Sequence, residues 1–335
     1  MKKYISWLTL ACLLAGSAPY AALASGQAIH LMTASKAVKK IKSKGLESLL
    51  DEKRRWFLSG AIFPDTGGHT SDEFSKFLHG GKFLNAYADY IVETCGKDFN
   101  THCKDRMAHF LGVLTHIRSD IRFDRYFVTR VRKECKFKDV SNNAQYWADN
   151  HLDPIAVCKH RDFGAKYGLT YIEKVECPDD TLLAVFKNAG TKYTRDNIKK
   201  GLKEQEDMLQ MEFKLKDYGI LCESYLANGS IRDTATDGRD CHCGKLGLPR
   251  DCTCNYWDQC PWGSREENYY SGNKVEGSID DMGEDVMPDW LETTYDALMA
   301  AIKKGKDAPV FAKKGDWPAQ DLCRMWIPSS AKYCD

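Results

Sequence analysis

An all-α fold is expected of this 335-residue chain. Apolar residues recur at every third and fourth position from Ala28 to about Tyr218, and the strict alternation of a half-buried strand is scarce over the same stretch. A hydrophobic content of 43% is enough to build a substantial core. The clearest helical stretches are Ala34 to Lys42, Asp72 to Glu93, Lys104 to Lys133, Asn143 to Trp147 and Thr194 to Tyr218, with one further helix from Asp289 to Lys304. Between the first two, Phe63-Pro64-Asp65-Thr66-Gly67-Gly68 should be a loop, since proline and paired glycines interrupt both regular periods.

The two ends differ from this body. Lys2 and Lys3 precede an apolar run from Ile5 to Ala15, and Ala22-Leu23-Ala24 offers the small-x-small pattern of a signal-peptidase site. The expectation is a cleaved secretory signal over residues 1–24 and a secreted or periplasmic mature chain beginning at Ser25. Neither that run nor any later segment reaches the roughly 20 apolar residues of a membrane-spanning helix. After Cys222 the texture turns to Gly, Asp, Cys and Trp, with Cys241, Cys243, Cys252, Cys254 and Cys260 crowded together. The expected division is a helical domain over 25–219 and a cysteine-rich, loop-rich region over 220–335.

Charge excludes one class of partner. With 48 basic and 47 acidic residues the net charge is +1, so no basic field would hold nucleic acid by its phosphates. The 14 cysteines point to an oxidising compartment. Cleavage after Ala24 would remove Cys12 and leave an odd number, so at least one thiol would be free or paired with another chain. Cys95 and Cys103 should bracket a helix-to-helix loop. For the cluster from Cys241 to Cys260 disulfides are preferred over structural zinc, because its spacing is C-x-C rather than C-x₂-C.

The chemistry-bearing feature is a column on the helix after Lys104: His116, Asp120 and Asp124 at i, i+4 and i+8. Packed against a core, an imidazole and two carboxylates call for a neutralising cation. Left in water, the same column would be a polar face paired with Arg118, Arg122 and Arg125. His109, at i−7, fits a packing or supporting role. Upstream lie His30 near the start of a helix, Asp65 in S-G-A-I-F-P-D, and His79 in F-L-H-G-G-K-F-L-N-A; downstream, Asp149 and Asp153 form another i, i+4 pair.

Together, the early His30, the G-A-I-F-P-D loop, the His79 segment and H-F-L-G-V-L-T-H-I-R-S-D resemble the zinc-dependent phospholipase C family over roughly residues 28–155. That fold is shared with the amino-terminal domain of glycosylphosphatidylinositol-specific phospholipase D and, distantly, with S1/P1-type nucleases. The resemblance implies a phospholipase C/P1 nuclease-like helical domain with divalent metals in a cleft. His79, His116 and Asp120 would hold one metal, His30 would share Asp120 on a second, and Asp65 would serve beside the attacking water as general base or orienter. Asp124, Asp149 and Asp153 match the positions of a third site. Their all-oxygen character departs from the family's two histidines and a glutamate and suits Ca²⁺ or Mg²⁺, so two zinc ions and a weaker third are expected. A second departure is that Ser25 stands where some members begin with a metal-binding tryptophan, which counts against a nuclease.

The expected activity is therefore phospholipase C hydrolysis of a glycerophospholipid such as phosphatidylcholine, with transient contact at the membrane surface and no nucleic-acid partner. The alternatives are an S1/P1-type phosphodiesterase, or a non-catalytic secreted protein with disulfides and bound metal. His69 is a candidate proton donor to the leaving group or simply an exposed loop histidine, and Trp147, Tyr126 and Phe127 are candidates for a head-group pocket or for core packing. Convergence of His30, His79 and His116 beside Asp65 would separate the enzyme from the binding module.

Overall fold

The computed structural model describes residues 26–96, 99–123, 153, 156–158, 175–215 and 279–311. Among these residues the fold is all-α, without strands. The signal sequence, Asp124, Asp149, the stretch from Asn143 to Trp147, Tyr126, Phe127 and the cysteines from Cys241 to Cys260 lie outside them.

Helix α1 (Gln27–Val38) has every residue buried, as suits a sequence with almost no charged face. It begins seven residues before the stretch expected from periodicity. Gly26 is extended and offers no side-chain cap; instead the Asp153 carboxylate accepts from the amides of Ala28 (2.8 Å) and Ile29 (3.2 Å). A carboxylate at this end also opposes the positive pole of the helix dipole. Gly26 is required there, because a Cβ would fall 2.0 Å from Cγ of Asp153.

Helices α2 (Lys44–Glu52) and α3 (Arg54–Ile62) follow. A 3₁₀ turn at Phe63–Gly67 replaces the expected loop, with Pro64 in its first turn. Helix α4 (Asp72–Leu78) is capped by Ser71, whose Oγ accepts from Phe74 N at 3.2 Å, and carries Asp72 and Glu73 in its first turn. The single helix expected from Asp72 to Glu93 is broken: His79 leaves helical geometry, Gly80 is extended, and α5 (Gly81–Thr94) starts afresh.

Helix α6 (Thr101–Phe123) is the longest described. A disulfide between Cys95 and Cys103 ties its first turn to the end of α5. It crosses α3 at very short range because both helices present glycine: a Cβ on Gly112 would lie 2.0 Å from Phe57 O, and one on Gly60 2.0 Å from His109 O. Helices α7 (Asp179–Asn188) and α8 (Arg195–Leu215) come next. A π-helical turn at Asp281–Val286 then leads into α9 (Met287–Lys304), which ends at Gly305 in the left-handed conformation.

Phe57, Phe63, Phe83, Tyr87, Leu111, Leu114 and Ile117 belong to one core with Ile279, Met287, Leu291 and Leu298. Part of the region that the sequence texture grouped with the cysteine-rich tail is thus packed on the helical body. Lys36, on α1, forms ion pairs with Asp280 and Glu284 at the π-helical turn.

Candidate metal centre

Four separate elements deliver the histidines and acids to one point. His30 comes from α1, Asp65 from the 3₁₀ turn after α3, His79 from the break between α4 and α5, and His116 and Asp120 from successive turns of α6. His30, Asp65, His116 and Asp120 are at most 1% exposed and His79 is 6% exposed. Nε2 of His30 is 3.3 Å from Asp120 Oδ1, and Nε2 of His79 and of His116 are 3.4 and 3.5 Å from Asp120 Oδ2. The same two nitrogens lie 3.4 and 3.3 Å from Asp65 Oδ1. The ring of His30 stacks on that of His116 with centroids 3.7 Å apart.

The main chain sets the tautomers. His79 Nδ1–H donates to Ser75 O at 2.8 Å, and His116 Nδ1–H donates to Ala61 O at 2.9 Å. Both Nε2 lone pairs therefore face inward, 3.1 Å from each other. Two lone pairs at that distance repel unless a proton or a cation lies between them. The Asp65 turn is fixed from behind by α8: Gln205 Nε2 donates to Ile62 O, Gly201 packs so tightly that a Cβ would be 2.3 Å from Thr66 O, and Thr66 Oγ1 donates to Phe63 O at 2.6 Å.

Electrostatics follow from two carboxylates sharing a dry site with three imidazoles. Burial alone would raise the Asp65 carboxyl, but His116, His79 and His30 outweigh it and hold the group well below the ordinary carboxylate range. Burial depresses His116, yet Asp65 and Asp120 overcome that and raise it. His30 is lowered, by burial first and by His116 second. Neither oxygen of Asp65 receives a hydrogen bond, which is a costly state for a buried carboxylate without a cation.

The donor set fits zinc. Two groups, His30 with Asp65 and His116, and His79 with His116 and Asp120, each bring one ligand atom per residue within 4.8 Å of one another. Nitrogen and oxygen ligands 2.0–2.1 Å from a tetrahedral zinc are about 3.3 Å apart, close to the 3.3–3.5 Å separations seen here.

The remaining candidates lie elsewhere. Asp153, read from sequence as part of a third metal site, belongs to neither group; its carboxylate holds the start of α1. Its companions Asp124 and Asp149 are outside the described residues. His109 packs its edge on Phe63 and contacts the Tyr87 hydroxyl at 3.2 Å through Nδ1. His69 is half-buried in the turn after Asp65, its imidazole lowered by burial against the pull of Asp65 and Glu204. Cys177 is a free thiol. The orienting carbonyls of Ser75 and Ala61 have no sequence signature, since any residue supplies a carbonyl.

Residues 20–174 match the zinc-dependent phospholipase C family. The match spans all five clustered side chains and supports the family resemblance carried by the sequence motifs. No curated protein and no solved structure matches the chain. The family supports a phospholipase C-type hydrolase function, zinc and a phospholipid substrate.

Proposed function

We propose that this protein is a secreted phospholipase C that cleaves the phosphodiester of a glycerophospholipid, with phosphatidylcholine as the substrate of choice. Water adds to phosphorus, the bond from phosphorus to the glycerol oxygen breaks, and that oxygen takes up a proton, so that diacylglycerol and a phosphorylated head group leave. The observation that carries this reading is the meeting of His30, His79, His116, Asp65 and Asp120 at one buried point, from four elements separated along the chain.

His79, His116 and Asp120 would hold one zinc, and His30 would share Asp120 on a neighbouring one. Bound there, zinc would lower the pKa of water and offset the charge that builds on the phosphoryl oxygens. The protein's own groups do the positioning. Ser75 O and Ala61 O accept from Nδ1 of His79 and His116 and so aim the Nε2 edge of each ring inward. A carboxyl held as low as that of Asp65 is ionised throughout the working range. Asp65 therefore accepts a hydrogen bond from the attacking water and orients it, rather than storing its proton. Two zinc ions per chain are expected, with any third, weaker ion held by oxygen ligands. No described helix is long and apolar enough to cross a membrane, and lipid access is proposed to be through transient surface contact after export.

The test is hydrolysis of a chromogenic phosphorylcholine ester and of single-stranded DNA by wild type and by His116→Ala, with and without chelator. Chelator-sensitive turnover of the ester by wild type, lost in His116→Ala, is expected. Turnover that persists in chelator would overturn the metal mechanism, and turnover of DNA alone would overturn the lipase assignment. Three tightly held zinc ions per chain would contradict the expected stoichiometry.

A further inference from the structure

The first turn of α1 contains a buried polar side chain that the proposed chemistry does not use. Gln27 is fully buried, and neither Nε2 nor Oε1 of its carboxamide has a hydrogen-bond partner. A carboxamide brings two N–H donors and a carbonyl acceptor. Burying all of them unsatisfied is unfavourable enough that such groups mark unmet contacts. Capping is not the role of Gln27, because the amides of Ala28 and Ile29 are already bound by Asp153 and the amide of His30 reaches Gly26 O at 3.3 Å.

Helical spacing places Gln27 next to a member of the metal centre. Gln27 precedes His30 by three residues, so the two share a face of α1. Helical side chains lean toward the amino terminus, which lays the His30 imidazole over the turn that Gln27 begins. Its Nε2 in turn meets Asp120 at 3.3 Å. The Asp153 carboxylate stands at the same end of the helix but accepts from the amides of Ala28 and Ile29 and not from Gln27. For folding alone, a side chain of the same length without polar atoms would serve better here.

We propose that Gln27 is a substrate-binding residue whose Nε2 donates to a phosphoryl oxygen of the phosphodiester bound at the histidine cluster. The proposal rests on the hydrolase reading above. A neutral donor suits this place: it can contact a phosphoryl oxygen beside the cluster's cations without adding charge of its own, whereas its carbonyl is a weaker metal ligand than the five imidazole and carboxylate groups already converging there.

The decisive comparison is wild type against Gln27→Met, which keeps the length and removes the amide. Three quantities are read: zinc per chain, KM and kcat for the chromogenic phosphorylcholine ester, and the thermal shift that inorganic phosphate gives the zinc-loaded protein. The expected result is unchanged zinc, an equal or higher Tm, a KM raised roughly tenfold or more, and loss of most of the phosphate-induced shift. Unchanged KM and phosphate response would overturn the proposal and leave Gln27 an inert buried amide or a water ligand. Loss of zinc would also overturn it, by making the amide a metal ligand. Should Gln27→Met not fold, Gln27→Asn, which withdraws the same amide by one methylene, is expected to show the same weakened phosphate response, and a full response would overturn the proposal. A wild type that binds phosphate but hydrolyses no ester would refute the hydrolase reading while leaving the phosphate contact of Gln27 measurable by its thermal shift.

Discussion

Acidification should destabilise the core through His109, a residue outside the metal centre. The imidazole is completely buried, its edge is against Phe63, Nδ1 is 3.2 Å from the Tyr87 hydroxyl and Nε2 has no partner. A charged imidazole would need a second acceptor that this pocket lacks, and burial lowers the group from 6.5 to about 3. The folded state therefore refuses a proton that the unfolded chain accepts below pH 6.5. Stability from this residue is complete above that value and falls as pH drops toward 3. At pH 5 the unfolded chain gains about 2 kcal/mol from protonation while the folded chain gains almost nothing, a loss of about 2 kcal/mol relative to pH 7. Urea unfolding of metal-free wild type and His109→Leu at pH 7, 6 and 5 measures it. The variant loses the Tyr87 contact at every pH, which is a constant offset, so the gap between the two proteins should shift by about 2 kcal/mol over the range. A gap that stays constant within about 0.5 kcal/mol would refute the assignment of the proton to His109.

Three further outcomes are expected. Gly112→Ala forces a methyl group to within 2.0 Å of Phe57 O, and should cost about 2–3 kcal/mol in urea unfolding as well as weakening zinc binding. Asp153→Ala removes the carboxylate that accepts from the Ala28 and Ile29 amides; a loss of about 1–2 kcal/mol is expected, with the zinc of the His79 group retained in metal analysis. Chelation should lower Tm, and zinc titration should restore it with a logarithmic dependence on free zinc, reaching about 4 kcal/mol at a thousandfold excess over Kd; a Tm indifferent to zinc would show that the cluster binds none.

Much of the centre could be read from the sequence because its parts are chemically conspicuous. His116 and Asp120 share a helix face by their spacing alone, and the proline and glycines around Asp65 announce an irregular turn. What escaped has physical causes. The helix break at His79 is set by Gly80 in extended geometry, whereas the surrounding apolar spacing continues on both sides and suggests one uninterrupted helix. No local signal marks the first residue of α1, because its cap, Asp153, arrives from more than a hundred residues away. The same contact gives Asp153 a structural duty at the start of α1, since a carboxylate satisfies backbone amides as readily as a cation. Gln205, which secures Ile62 O, and Gln27 lie in helical patterns where a lone glutamine carries no signal.

The two acceptors that orient His79 and His116 are carbonyl oxygens of Ser75 and Ala61, and this restricts how the centre can be altered. Exchanging the residue at either position leaves the acceptor in place, so no simple swap of an outer carboxylate can retune these imidazoles. The tunable variable is the gap between α3 and α6, which Gly60 and Gly112 keep at its minimum. Spreading that crossing by a fraction of an ångström would carry Ala61 O away from its ring, so drift or engineering of metal preference would have to work through helix spacing.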